Sequence, residues 1–342
     1  MALAAPLRAA LARHRLGLGG APLGNLFDAV ADDDAIALVR HAYATGVRYF
    51  DTAPHYGNGL SERRIGRALA GIGRDDYLLS SKVGRLLTPD PAAPADQNGY
   101  VAVLPFRQHW DYTGEGTLRS IDDSLNRLGV ARLDIVYIHD LDRATHGEAY
   151  PDRFEQAMQG AVLALTALRD RGAIGAFGLG VNDWRVCVEA LARTDLDVIL
   201  LAGRYTLLDQ SALPELLPLC EKRGVAVVVG GPYNSGILAT GARPDDGSAP
   251  RFDYRPAPPD VIERVAAIEA VCAEHAVPLP AAALQFPLAH PAVVCVIPGA
   301  RSIAEFDRNR ELAQVPIPSA FWQALRRGGL IAAGAPLPGG LA

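Results

Sequence analysis

The chain has 342 residues, 49% hydrophobic and 21% charged, with a formal net charge of −5. This composition supports a large core and excludes global disorder, and the mild acidic balance offers no clustered basic face for nucleic acid. No run of about 18 apolar residues is present that could span a bilayer, and length alone leaves two domains or one large α/β barrel open.

The N-terminal "MALAAPLRAALARHR" is rich in Ala and Arg and lacks acids, a weak transit-peptide pattern. Arg8, Arg13 and Arg15 interrupt its apolar run, so residues 1–14 are expected to be a short N-terminal extension on a cytoplasmic protein. The following Gly17–Gly24, "GLGGAPLG", resembles a dinucleotide glycine fingerprint, but its third glycine is replaced by Pro22. A first strand and its loop are the better reading.

Strand-like runs then recur at Leu16–Gly20, Val47–Asp51, Tyr77–Val83, Leu133–His139, Ile174–Val181, Asp197–Leu201, Val225–Gly230 and Val293–Pro298. Several are continuously apolar ("LDIVYI", "DVILL", "VAVVV"), as in parallel strands covered on both faces. Helical periodicity fills the intervals. One helix, capped by Asp32 or Asp33, runs to Gly46. Others cover Thr117–Leu128, Phe154–Arg171, Pro214–Arg223, Asp260–His275 and Ala281–Ala289. Eight strands separated by helices, with no composition break, predict a single (β/α)8 barrel over residues 1–342, with a doubly wound sheet as the alternative. Arg85–Tyr112 and Tyr233–Pro259 exceed ordinary connections, and long ordered loops commonly carry function.

Cys187, Cys220, Cys272 and Cys295 lie far apart with no C-x-x-C pair. Free thiols in a reducing cytosol are therefore expected, and no metal site. Only two lysines, Lys82 and Lys222, stand among 33 basic residues. Where arginine serves as the general cation, a retained lysine suggests a need for a compact charge of adjustable pKa. Lys82, at a strand end, is the candidate.

In a barrel the chemistry sits at the carboxyl ends of the strands. There the second strand delivers Asp51, the third Lys82 and the fourth His139, with Tyr56 on the loop "FDTAPHYGNG". Singly each has an ordinary structural explanation; together they suit proton transfer at a carbonyl or alcohol oxygen. The lysine is expected to lower the phenol's pKa, the acid to fix the lysine, and the histidine to orient the reacting oxygen.

These stretches, "GVRYFDTAPHYGNGLSERRIGRAL", "YLLSSKVGR", "SIDDSLNRLGVARLDIVYIHD" and "VIPGARSIAEFDRNREL", resemble the aldo-keto reductase superfamily over essentially the whole chain. The resemblance implies a catalytic tetrad of Asp51, Tyr56, Lys82 and His139, with the tyrosine as proton donor or acceptor. It also implies a nicotinamide dinucleotide, NAD or NADP, bound at the barrel mouth without a metal. "GGPYNSGIL", "GVND" and "HDLDRATHG" resemble a subgroup, the D-threo-aldose (L-fucose) 1-dehydrogenases and their pyridoxal 4-dehydrogenase relatives.

The chain departs from the family pattern where the cofactor ring is held. Gly180-Val181 replace Ser-Asn, Ala202 stands for a glutamine and Gly230 for a stacking tyrosine; Asn182 is expected to hold the carboxamide instead. Gly230, Gly231, Gly299, Ala300, Arg301, Ser302, Glu305, Arg308 and Asn309 are the further cofactor candidates. Glu305 would repel a 2′-phosphate and accept from a ribose hydroxyl, which predicts a preference for NAD. His109, Trp110 and Tyr112 on the first long loop, with Tyr233 and Asn234 on the second, are expected to wall a sugar or aldehyde substrate. The reaction implied is oxidation of a cyclic aldose at C1 to a lactone; pyridoxal oxidation, broad aldehyde reduction and a non-enzymatic accessory role are the alternatives. Oligomeric state is left open.

Overall fold

A computed structural model describes residues 5–245 and 247–339. Eight parallel strands follow one another around a single sheet: β1 (Leu18–Gly19), β2 (Tyr49–Asp51), β3 (Leu78–Val83), β4 (Ile135–His139), β5 (Ala176–Val181), β6 (Val198–Ala202), β7 (Ala226–Gly230) and β8 (Val293–Ile297). The ring closes because the Gly17 N–H donates to Val296 O and the Val296 N–H donates to Arg15 O, both at 2.9 Å. Consecutive order plus closure makes this the (β/α)8 barrel and excludes the doubly wound sheet. Each predicted strand lies within two residues of its observed ends.

The apolar runs are buried on both faces. Tyr49, Tyr137, Ala176, Val198, Val228 and Cys295 fill the barrel interior, while Phe50, Val136, Phe177, Ile199 and Val227 face the helices. Of the expected N-terminal extension, residues 1–4 lie outside the described residues, and the rest packs on the barrel. The helix Ala5–Arg13 buries Leu11 against the interior cluster, and Arg8 donates to Gly224 O at 3.3 Å and Pro291 O at 3.4 Å.

Two helix expectations are corrected. Neither Asp32 nor Asp33 caps the helix Asp32–Ala44. Ala31 holds the N-cap position, and the Asp32 carboxylate accepts from Arg64 Nε at 2.8 Å and Arg67 Nη1 at 3.1 Å. Expected as continuous, Phe154–Arg171 is instead Tyr150–Gln156, a π-helical turn at Ala157–Ala161, and Val162–Asp170. There the Ala161 N–H donates to Tyr112 O at 2.9 Å, drawing one donor out of the helix to hold the first long loop. The helix Leu60–Leu69, absent from the periodicity reading, buries Glu62 and Arg64 on its inner face.

Both long connections rise from the mouth as built structures. Arg85–Pro89 pairs antiparallel with Phe106–Trp110, and Arg251–Phe252 pairs with Arg255–Pro256 in a small hairpin.

Candidate active site

Side chains alternate along each strand, so Asp51, Lys82 and His139 all point into the barrel beneath its carboxyl mouth. Asp51 and Lys82 are each 2% exposed. Lys82 Nζ donates to Asp51 Oδ2 at 2.7 Å and to Thr52 O at 2.9 Å, and Ser80 Oγ donates to Asp51 Oδ1 at 2.6 Å. Burial pushes the Lys82 amine down and the Asp51 carboxyl up, and each charge partly offsets that for the other. Asp51 and Lys82 thus form a buried, hydrogen-bonded ion pair, a costly arrangement to maintain for stability alone.

Tyr56, half-buried, lies on the turn after β2. Its ring stacks on Tyr100 at 6.0 Å and 23°, meets His139 edge-on at 6.0 Å, and stands 4.4 Å from Lys82 Nζ. The expected lowering of its pKa is not what the environment produces. Burial, and then the Asp51 charge, raise Tyr56 well above 10. The ammonium is already committed to Asp51 and Thr52, so the resting group is a neutral phenol. Burial also pushes His139 well below 6.5, leaving a neutral imidazole whose buried Nδ1 has no partner. Tyr112 Oη donates to His139 O at 2.8 Å and meets His146 Nε2 at 2.9 Å, which fixes the end of β4.

The top inward row is polar on one side and nearly bare on the other. Asp51, Lys82 and His139 occupy β2 to β4. Gly180, Ala202 and Gly230, the three departures from the family pattern, occupy β5 to β7. A Cβ on Gly180 would stand 3.1 Å from Tyr137 Cβ and 3.5 Å from Lys82 Cε, so glycine there leaves the lysine its place.

The cofactor candidates fall on the bare side. Asn182 follows β5; its backbone carbonyl accepts from Arg204 Nε at 2.7 Å, and its amide lies 3.5 Å from Tyr254 Oη. A cavity of about 310 Å³ opens beside it, lined by Asp142, Asn182, Trp184, Arg204 and Asp209. Gly230 and Gly231 end β7. Gly299 and Ala300 follow β8, and Ser302 caps the helix Ile303–Leu312, accepting from the Glu305 N–H at 3.2 Å. Arg301 is clamped between Asp28 at 2.5 Å and Glu305 at 2.9 Å, while Arg308 is exposed and pairs with Glu311 at 3.7 Å.

The substrate candidates divide. Trp110, partly buried, carries the Arg85 guanidinium over its ring at 3.8 Å, and His109 points out to solvent on the same strand. Tyr112 is fully buried and supports His139 from behind rather than forming a wall. Tyr233 Oη donates to Asn309 Oδ1 at 2.7 Å, placing it on the cofactor side. Asn234, 3% exposed, accepts from Thr206 and donates to Gly203 O, so it holds its own loop together. Among the expected substrate walls, Tyr112 and Asn234 are thus buried with their polar atoms already hydrogen-bonded, and the Tyr233 hydroxyl is committed to Asn309.

The sequence reading passed over Asp140 and Arg85. Asp140, directly after His139, has a left-handed backbone (φ 48°), which costs about 1–3 kcal/mol in a non-glycine residue. Its carboxylate accepts from Arg85 Nη2 at 2.5 Å. The available signal was position: one residue past a catalytic candidate and three past another. Arg204, Asp253 and Tyr254, which tie the second long loop across the mouth, carried no such signal.

A closed barrel whose mouth gathers a phenol and a neutral imidazole around a buried amine–acid pair fits an oxidoreductase acting at an alcohol or carbonyl oxygen. The chain belongs to the Aldo/keto reductase family, whose model matches residues 15–327. It is 43% identical over 334 residues to the pyridoxal 4-dehydrogenase of Microbacterium luteolum, covering 95% of this chain and 96% of that one. It is 39% identical over 327 residues to the D-threo-aldose 1-dehydrogenase of a Pseudomonas species, covering 94% and 96%. Among solved structures, the aldo-keto reductase AKR11C1 from Bacillus halodurans superposes with a TM-score of 0.69 at 25% identity, covering 94% of this chain and 93% of that one. The glycerol dehydrogenase AKR11B4 from Gluconobacter oxydans, at 22% identity, shares the fold with a TM-score of 0.70, covering 96% and 95%. The protein is an NAD(P)-dependent oxidoreductase. Its residues are compatible with such a cofactor: the inward row Gly180, Ala202 and Gly230 carries no side chain larger than a methyl group, and Asn182 follows at the end of β5.

Proposed function

We propose that the protein oxidises a cyclic hemiacetal to its lactone, with a cyclic aldose of the L-fucose type, attacked at C1, as substrate. The observation that carries this is the convergence of Tyr56 and His139 over the Lys82–Asp51 pair. The two relatives support the substrate class through their names. Aldoses close to hemiacetals, and pyridoxal, with an aldehyde beside a hydroxymethyl group, does the same. Pyridoxal is accordingly the second candidate.

Oxidation removes a hydride from the carbinol carbon and a proton from its hydroxyl. When bound, a nicotinamide dinucleotide supplies the hydride acceptor, held by Asn182, Gly230, Gly231 and the Gly299–Asn309 segment. Tyr56 takes the proton, for which its phenol must first ionise; in the reverse direction the neutral phenol is already the donor. His139, uncharged, hydrogen-bonds the reacting oxygen and orients it. Lys82, held by Asp51, supports the phenolate once it forms. Positioned acid–base catalysis of this kind contributes roughly 10²–10⁴-fold.

NAD is the preferred cofactor in this reading. Arg301, just before the helix Ile303–Leu312, is spent on Asp28 and Glu305, two carboxylates against one cation. A 2′-phosphate would meet net negative charge there. The four cysteines are free and buried, which supports a reducing cytoplasm as the setting.

The test is an initial-rate panel of L-fucose, D-arabinose, L-galactose, pyridoxal and simple aldehydes with both cofactors in both directions. Oxidation of at least one hemiacetal with lactone formation is expected. Reduction of simple aldehydes alone would establish a broad reductase instead, and cofactor binding without turnover of any substrate an accessory subunit.

A further inference from the structure

A second polar group stands against His139 with no part in the tetrad. We infer that Arg85 and Asp140 form a hydroxyl-reading clamp for the carbon next to the one oxidised, selecting a polyhydroxylated sugar. The inference rests on the hemiacetal reading above and narrows its substrate class.

Asp140 Oδ1 lies 3.6 Å from His139 Nε2, while Oδ2 is taken by Arg85. That leaves Oδ1 as an acceptor beside the imidazole that orients the reacting oxygen. The gap matches the separation of oxygens on neighbouring carbons. A hydroxyl at C2 therefore falls to Asp140 when the C1 oxygen is held by His139.

Arg85 supplies the matching donor. Its side chain is 12% exposed, and its Nε is buried with no partner. Buried polar groups are ordinarily satisfied, and an orphan donor beside a reaction centre marks a place for a ligand acceptor. The guanidinium is held rigidly. It lies over Trp110, and Nη1 donates to Gln108 Oε1 at 3.0 Å. Gln108 in turn cannot flip: its Nε2 donates to Asn58 Oδ1 at 2.7 Å, because Asn58 Nδ2 is used on Leu104 O and Phe106 O. Gln108 Oε1 also meets His55 Nδ1 at 3.0 Å, which puts the His55 proton on that nitrogen. An acceptor and a donor, each fixed from behind, are what the hydroxyls of a sugar require.

A role confined to anchoring the ribbon does not account for the left-handed backbone at Asp140 or for the unmet Arg85 Nε. It also makes a different prediction, since loss of an anchor affects every substrate alike.

The experiment compares kcat/KM for L-fucose, 2-deoxy-L-fucose and pyridoxal at saturating NAD in the parent protein, Arg85→Lys and Asp140→Asn. The lysine keeps the charge without the fork; the asparagine keeps the shape without the charge and tolerates the left-handed backbone. The parent is expected to prefer L-fucose over the 2-deoxy sugar by about 10²-fold or more. In either variant that ratio should fall to within a few-fold of one, with pyridoxal losing less than L-fucose. An equal loss on all three substrates, or a parent indifferent to the 2-hydroxyl while oxidising both sugars, overturns the clamp alone. A parent that oxidises none of the three overturns the hemiacetal reading and the clamp with it. Thermal melts within a few degrees of the parent establish that both variants are folded, and either variant by itself decides the outcome.

Discussion

Lys82 Nζ sits 2.7 Å from Asp51 Oδ2 and 4.4 Å from the centre of the Tyr56 ring, so one buried ammonium serves an acid beneath it and a phenol beside it. The acid holds the charge in place, facing the phenol ring. Because Asp51 and Lys82 are both inside the barrel, deleting one leaves the other uncompensated in a poorly solvated site.

Lys82→Met is therefore expected to lose about 3–5 kcal/mol of stability as well as turnover. Adding Asp51→Asn should recover much of the stability and none of the activity. Denaturant unfolding and initial rates on the single and double variants check this. A double variant no more stable than Lys82→Met would contradict the pairing argument.

Tyr56→Phe is expected to reduce turnover by roughly 10²–10⁴-fold while cofactor binding, followed by fluorescence quenching, stays within a few-fold. Unimpaired oxidation would remove Tyr56 from the chemistry.

The raised pKa of Tyr56 has a direction that can be worked out. Below that pKa the phenolate fraction grows tenfold per pH unit, and oxidation needs the phenolate. Oxidation by the protein should thus accelerate with a log–log slope of about one from neutral pH towards pH 10, while carbonyl reduction, which needs the phenol, stays flat. The ultraviolet difference titration of the free protein against Tyr56→Phe should show no Tyr56 ionisation below pH 10. A titration step near pH 8 would show that the lysine, not burial, governs the phenol.

Cofactor choice is expected to follow the Asp28–Arg301–Glu305 cluster. The parent should favour NAD in kcat/KM, and Glu305→Lys should shift the NADP/NAD ratio upward by about an order of magnitude, since one repulsive charge becomes attractive. A parent strongly preferring NADP would refute the charge argument.

Arg204 bonds Asn182 O at 2.7 Å, Asp253 Oδ2 at 2.7 Å and Asp209 Oδ2 at 3.2 Å, tying three mouth loops together. Arg204→Ala should raise the KM for the cofactor, and Asp253→Ala should add little on top of it, as expected for partners in one contact. Fully additive effects would show that the tie does not act as a unit.

The barrel was legible because its strands are covered on both faces and therefore read as unbroken apolar runs, from "LDIVYI" to "VAVVV". The grouping of Asp51, Lys82 and His139 was legible for a related reason: strand ends on successive parallel strands meet at one rim, so the three were neighbours as soon as the barrel was. The helix Leu60–Leu69 was not, since its inner face carries Glu62 and Arg64, satisfied by Ser81 and Arg127 on one side and by Leu23 and Val30 carbonyls on the other. Tyr233 and Asn234 were placed on the substrate side by their loop, yet their hydroxyl and amide are committed to Asn309, Thr206 and Gly203.

Sequence by itself determined the strand set and that Asp51, Lys82 and His139 stand at strand ends, because periodicity acts locally; the order of the strands around a closed ring came from the fold. Only the tertiary structure decided how those groups are charged and which loop residues join them. A pKa depends on burial summed over all neighbours, which is why Tyr56 rests as a phenol despite its lysine. The pairing of Arg85 with Asp140 spans 55 residues and exists only once the ribbon folds back over β4.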